Sequence, residues 1–255
     1  MTVWPASRNL TGIMIAALDE KAALSYLNQA MRAPQTKAAS MLAVAFCNAH
    51  VVNLAAHDAS FRSALQNMLV LPDGIGVDIG SRLLYGAPFP ANLNGTDFIP
   101  RLIFSSPSPL SIALIGARRG VAERAAGALK AHDPRHDINV LGHGYFDAAA
   151  EQLILEGLKS SPVDLLLVAF GNPRQEIWIT QKIGPEHARL AMGVGALFDF
   201  LAGEVARAPL WLRRLRLEWA WRLAQEPSRL WQRYIMGNPI FLWRILRQKF
   251  RGASQ

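Results

Sequence analysis

Short apolar runs alternate with amphipathic stretches through the first four-fifths of the chain. Leu10–Ile15, Met41–Cys47, Leu110–Ile115, Ile138–Leu141, Val163–Phe170 and Leu190–Val194 have strand length, while Glu20–Arg32, Val121–Ala131, Ala148–Lys159 and Gln175–Ile183 have helical composition and spacing. This order predicts an α/β fold, a Rossmann-like, mostly parallel sheet flanked by helices. In such folds ligands sit at the carboxyl ends of the strands, where the loops gather. No internal repeat or low-complexity segment interrupts the pattern.

Charge changes this picture near residue 205. The 255 residues carry 27 Lys+Arg against 19 Asp+Glu, a formal +8. From Val205 to Gln255 there are ten arginines and Lys249 against only Glu218 and Glu226, a net +9, so residues 1–204 carry −1. The expected division is an α/β catalytic domain over 1–204 and a cationic, helical, Arg/Trp-rich appendage over 205–255. With 51% hydrophobic residues the chain has a core to bury, which excludes global disorder. One cysteine, Cys47, allows neither an internal disulfide nor a cysteine-based zinc site, and fits a reducing cytoplasm. No apolar run reaches the roughly 20 residues of a spanning helix. Leu10 to Leu18 imitates a secretory apolar region, but Asp19-Glu20-Lys21 stands where small residues would mark cleavage, so the segment is read as a first strand.

Three strand ends carry glycine turns: Gly116 with Gly120, Gly171, and Gly193 with Gly195. Glycine lets backbone N–H groups approach a ligand, and a following helix N-terminus favours negative charge, so the body has the means to hold a phosphorylated ligand. A glycine that merely ends a strand explains any one of these turns; three together shift the balance toward a ligand. None is a dinucleotide fingerprint or a Walker loop, which disfavours hydride transfer and P-loop NTPase chemistry. Asp73, in Leu71-Pro72-Asp73-Gly74, sits where an apolar run turns sharply. A scaffold-held acid beside apolar walls suits a general base, and a turn or helix-capping aspartate suits the same pattern. The six histidines, His50, His57, His132, His136, His143 and His187, show no metal-ligand spacing, although His50 lies two residues past Asn48.

The blocks Val70-Leu71-Pro72-Asp73-Gly74-Ile75-Gly76-Val77, Gly171-Asn172-Pro173-Arg174-Gln175-Glu176-Ile177-Trp178-Ile179 and Gly193-Val194-Gly195-Ala196-Leu197-Phe198-Asp199-Phe200-Leu201-Ala202-Gly203 resemble the signatures of the WecG/TagA/CpsF glycosyltransferases. Arg207-Ala208-Pro209-Leu210-Trp211, Leu217-Glu218-Trp219-Ala220-Trp221-Arg222-Leu223 and Glu226-Pro227-Ser228-Arg229, followed by Arg233-Tyr234, extend the likeness over roughly residues 10–245. The resemblance implies an inverting transferase that moves a sugar from a UDP-sugar to a polyprenyl-diphosphate-linked sugar at the inner membrane face. It places the catalytic base on Asp73. It makes Gln175 and Glu176, with Gly171, donor-side contacts, and Asn48, Asn94, Asp97 and Gly116 further donor-binding candidates. The acceptor diphosphate falls to Arg207, Arg214, Arg222, Arg229 and Arg233. No metal and no cofactor are expected.

Two departures stand out. Phe46 occupies a position where many members have Thr, and Pro90-Ala91-Asn92 stands where many have Pro-Glu-Arg. A tail arginine supplying the missing charge and a differently held acceptor are both open. The loop resembles exopolysaccharide-pathway members, including the glucosyltransferase that adds the second sugar in xanthan-type assembly, which suggests a sugar other than N-acetylmannosamine; the expected enzyme is a hexosyltransferase with UDP-glucose or a UDP-N-acetylmannosamine-type donor.

Transfer with inversion needs a base for the acceptor hydroxyl and electrostatic help for the departing diphosphate. No Asp-x-Asp pair occurs in the chain, which favours helix N-termini and arginines over a metal for that help. The tail holds five of the seven tryptophans: Trp211, Trp219, Trp221, Trp231 and Trp243. Arginine with interleaved tryptophan fits an anionic membrane surface, nucleic acid, or a solvated face over tryptophans packed on the body. The resemblance selects the membrane, with no nucleic-acid partner, and implies a cytoplasmic enzyme peripheral to the membrane. A nucleotide-sugar-modifying enzyme without a lipid acceptor is a further reading, and a homo-oligomer is left open.

Overall fold

A computed structural model of the protein describes residues 4–32, 40–209, 211–212 and 217–252, the side chain of Arg229 excepted. Eight strands form one sheet in the order β1-β2-β4-β3-β8-β7-β5-β6. They are β1 Ser7–Leu10, β2 Ile13–Ala16, β3 Leu42–Cys47, β4 Leu69–Pro72, β5 Ser111–Gly116, β6 Asp137–Gly142, β7 Val163–Ala169 and β8 Ala188–Gly193. Only β1 runs antiparallel, paired to β2; every other neighbouring pair is parallel. The expected mostly parallel α/β sheet is therefore the architecture of the protein.

Helices cover both faces. Along β3, Leu42, Val44 and Phe46 point into one core and Ala43, Ala45 and Cys47 into the other, the two-residue alternation of a strand buried on both sides. The first core takes α1 (Glu20–Arg32), α5 (Gly95–Phe104), α6 (Val121–His132) and α9 (Leu197–Leu201). The second takes α2 (Ala49–His57), α3 (Ala59–Gln66), α4 (Ile75–Tyr85), α7 (Ala148–Ser160) and α8 (Arg174–Lys182). The tail continues as α10 (Glu218–Gln225), α11 (Pro227–Trp231), a π-turn over Gln232–Met236 and α12 (Gly237–Gly252).

The expected first strand over Leu10–Ile15 is corrected to a hairpin. Thr11 and Gly12 both have positive φ, 53° and 93°, the two-residue turn whose twist matches antiparallel strands. Thr11 gives no turn signal in the sequence, which is why the run reads as continuous. Strand β4 lies in the parallel sheet with its last residue, Pro72, opposite Cys47 of β3. That register sets Asp73 beside Asn48.

The tail is built into the body. Phe241 and Ile245 of α12 are buried to 1% and 0% exposure in the second core, seated on Gly80 of α4. Asn53 Nδ2 donates to Gly237 O at 2.7 Å, and Gln248 bridges the hairpin, accepting from Thr11 N and donating to Asn9 O. Helix α12, well beyond the change in charge, is thus packed into the second core. Among the described residues no helix is long and apolar enough to cross a membrane.

Candidate functional site

The carboxyl ends of β3, β4, β5, β7 and β8 meet on one side of the sheet. Asp73 follows β4 directly, and its N–H donates to Cys47 O at 2.9 Å, so the residue is fixed to the end of β3. Asn48, next after β3, caps α2 by accepting from the N–H groups of His50 and Val51. Its other amide atom, Nδ2, donates to Asp73 Oδ2 at 3.3 Å. Asn48 is therefore held by a helix terminus and in turn orients the carboxylate.

The turn beneath Asp73 has a second support. Gly74 adopts φ 87° and ψ 171°, a conformation open to glycine and strained for other residues, and its N–H donates to Asn92 Oδ1 at 2.7 Å. Asn92 is the residue that the resemblance sets against arginine. Sequence reasoning registered that replacement as a lost cation and missed the bond. An amide oxygen can accept from Gly74 N–H; a guanidinium, which only donates, cannot.

Tail residues complete the surroundings of Asp73. Burial raises its carboxyl above the ordinary aspartate range. The Asn48 hydrogen bond and the positive charges of Arg233 and Arg222 pull it back toward ionisation, and Asp97 opposes them. Burial, and then Arg233, push the His50 imidazole down to about 4, so His50 is neutral near pH 7. Cys47 is fully buried between Asp73 and Glu176, and burial raises its thiol, which stays protonated.

The remaining candidates fall into two groups. Asn94 caps α5, accepting from Asp97 N–H at 3.0 Å, and its Nδ2 donates to Asp97 Oδ2 at 3.1 Å. Asp97 Oδ1 in turn pairs with Arg207 Nη2 at 2.7 Å, and Arg207 reaches Glu218 at 3.2 Å. Arg207 and Arg222 both lie over the Phe200 ring, 5.2 and 5.5 Å from its centroid. Arg207 thus ties the start of the tail to the body, while the charges of Arg222 and Arg233 favour ionised Asp73. Arg214 lies outside the described residues, and Arg229 falls in α11 with its side chain outside them. Phe46 packs against Gly95, where any Cβ would approach the ring to 3.2 Å.

The second group surrounds β7. Gln175 is 2% exposed; its Oε1 accepts from Gly171 and Gly195 N–H, each at 3.1 Å, and its Nε2 donates to Glu176 Oε1 at 2.8 Å. It joins the β7 and β8 loops from within. Glu176 is fully buried and also accepts from Asn172 Nδ2, while Oε2 has no hydrogen-bond partner among the described residues. Burial raises its carboxyl to about 7. Gly116 has a packing cause as well, since a Cβ there would stand 2.5 Å from Ala169 O. Arg174, which sequence reasoning passed over inside its motif, donates to Gly144 O and stacks on Phe146 and Phe170, holding the β6–α7 loop beside β7.

Among the described residues no three His, Cys, Asp or Glu side chains gather as a metal-ligand set. A carboxylate whose proton affinity is raised by burial and restrained by arginines, beside glycine turns at strand ends, is equipped to take a proton next to a phosphorylated ligand.

The profile of the family described as "Glycosyl transferase WecG/TagA/CpsF family" matches residues 8–255. An N-acetylglucosaminyldiphosphoundecaprenol N-acetyl-beta-D-mannosaminyltransferase of Bacillus spizizenii is 30% identical over 186 residues, 72% of this chain and 70% of its own. A protein of the same name from Staphylococcus aureus is 28% identical over 210 residues, 82% of this chain and 81% of its own. With the match spanning the body and the tail alike, the chain belongs to the WecG/TagA/CpsF family of glycosyltransferases.

Proposed function

We propose that the protein moves a sugar from a UDP-sugar, with inversion, to a polyprenyl-diphosphate-linked sugar during assembly of a cell-surface polysaccharide such as an exopolysaccharide. The observation that carries this reading is the Asp73 carboxylate, set at the end of β4 and held by Asn48, with the charges of Arg222 and Arg233 favouring its ionised form. Asp73 takes the proton of the acceptor hydroxyl as its oxygen attacks the anomeric carbon. The bond from that carbon to the UDP oxygen breaks on the opposite face, and the electron pair leaves with the diphosphate.

Arginine forks fit phosphate oxygens in pairs, so Arg222 and Arg233, joined by Arg214 and Arg229 of the same tail, serve the diphosphates without a metal. The helices that follow Gly116 and Gly171 present backbone N–H groups to the donor, while Gln175, which takes up the Gly171 N–H, and Glu176 shape the loop. Asn94 and Asp97, fixed through Arg207, border the donor side. Phe46 and Asn92 stand where the resemblance sets Thr and Arg in many members, and on that ground the donor proposed is a UDP-hexose such as UDP-glucose, with a UDP-N-acetylmannosamine-type sugar as the alternative.

The acceptor carries a long hydrocarbon chain and must be met at a bilayer. Exposed Trp231, Ile235, Met236, Trp243 and Phe250 stand among Arg244, Arg247, Lys249 and Arg251, a composition suited to the headgroup region of an anionic leaflet. The protein is accordingly proposed to work at the inner face of the membrane without spanning it.

The test is turnover of UDP-glucose and UDP-N-acetylmannosamine with a short polyprenyl-diphosphate-linked N-acetylglucosamine acceptor, with EDTA present, and product linkage read by NMR. A product of inverted anomeric configuration is expected, with UDP-glucose the better donor. Hydrolysis of the donor with no transfer to lipid would contradict the reading, and loss of turnover in EDTA would contradict its metal-free form.

A further inference from the structure

The β1–β2 hairpin and α12 enclose an open groove of about 550 Å³, to which Arg62, Arg244, Arg247 and Arg251 contribute four guanidinium groups. It lies away from Asp73. Thr11 and Gly12, on its rim, precede β2, which runs parallel to β4; Asp73 follows the opposite end of β4. Helix α12 connects the two ends. It begins at Gly237 beside Asn53, passes His57 at Arg244, and reaches the hairpin at Gln248. From Gly237 to Arg251 the helix rises about 21 Å.

The groove has the features of an anion site. Among the described residues no carboxylate forms an ion pair with any of the four arginines. Arg62 is fixed by donating from Nε and Nη2 to Ala55 O and Ala56 O, at 2.9 and 3.1 Å, and Arg244 is fixed by its contact with His57 Nε2 at 2.8 Å. Arg247 lies over the Trp243 ring. Four like charges gathered without a counter-charge repel, and a phosphate group relieves that repulsion while accepting paired N–H bonds. Independently, Thr11 Oγ1, on the rim of the groove, is buried with no hydrogen-bond partner among the described residues.

The groove's surroundings indicate the source of the phosphate. Trp243 lines it and is 56% exposed, and Phe250, two residues before the end of α12, is 68% exposed. An indole beside a phosphate-binding arginine matches the headgroup level of a bilayer. We infer that this groove binds the phosphate of an anionic lipid headgroup, as a second attachment point that orients the Asp73 end toward the acceptor. The inference rests on the membrane reading of the tail proposed above.

The test is co-sedimentation of the full-length protein with phosphatidylcholine vesicles with and without phosphatidylglycerol, comparing the wild type with Arg247→Lys, Arg247→Gln and Lys249→Gln. Lys249 sits on the same helix outside the groove, and all three substitutions fall at exposed positions. A groove that grips phosphate through the guanidinium fork predicts that Arg247→Lys weakens binding to phosphatidylglycerol vesicles by at least about fivefold although the charge is kept. Lys249→Gln should weaken it by no more than the roughly fivefold expected of one diffuse charge. Arg247→Lys binding like the wild type, with Arg247→Gln and Lys249→Gln equally weakened, would overturn the groove and leave diffuse attraction. Inorganic phosphate that saturates the protein through Arg247 without affecting vesicle binding would overturn the lipid assignment. No vesicle binding by the wild type, alongside intact sugar transfer, would remove the membrane reading itself.

Discussion

At the scale of single residues, the site works by opposing effects on carboxylates. Burial makes Asp73 harder to ionise, while Asn48, Arg233 and Arg222 favour the ionised form that a base requires. Removing a cation therefore raises its proton affinity. Arg233→Gln is expected to move the acid limb of the kcat/KM profile to higher pH, and Arg233→Lys to leave it near the wild-type position. An unmoved limb in Arg233→Gln would separate Arg233 from the base. Glu176 makes the converse case, because its folded-state value of about 7 lies above that of an ordinary carboxylate. The folded protein then holds a proton that the unfolded chain releases, and stability falls as pH rises from the unfolded value through about 7. Glu176→Gln keeps an oxygen for Asn172 and Gln175 and carries no charge. Its unfolding free energy should match the wild type below about pH 4.5 and exceed it by on the order of 3 kcal/mol above pH 8, measured by urea denaturation across pH.

At the scale of elements, α12 is the piece whose packing matters most for the tail. Gly80 of α4 leaves room for it, since a Cβ there would meet Phe241, Leu10 and Ile245 at 3.0, 3.1 and 3.2 Å. In an exposed helix, replacing glycine stabilises; here overpacking decides the sign. Gly80→Val is expected to lower stability by about 1–3 kcal/mol and to loosen α12, read by thermal unfolding and by faster hydrogen exchange in α12. The sequence made some elements plain and hid others for physical reasons. Strands β3, β5, β7 and β8 read directly because strands buried on both faces are continuous apolar runs. Strand β4 has only four residues and ends in Pro72, and α2 and α3 before it and α4 and α5 after it have no run long enough to separate them from loops. Asp73, Asn48 and Glu176 were legible through their motifs. Asn92 was visible only as a departure, because its value depends on a φ at Gly74 that no sequence states. The seating of α12 was hidden because its buried Phe241 and Ile245 and its exposed Trp243 and Phe250 look alike in composition.

At the scale of the whole molecule, a nearly neutral body carries a tail of +9 whose last helix packs into the second core and shows an outward apolar, cationic face. The central claim is that Asp73 at the end of β4 is the base for sugar transfer. It is tested most directly by single-turnover transfer to a polyprenyl-diphosphate-linked acceptor with wild type and Asp73→Asn, alongside UDP binding to each by calorimetry. The account predicts transfer slowed roughly 10²–10⁴-fold with UDP affinity within a few-fold of the wild type. Transfer at near wild-type rate in Asp73→Asn would contradict it.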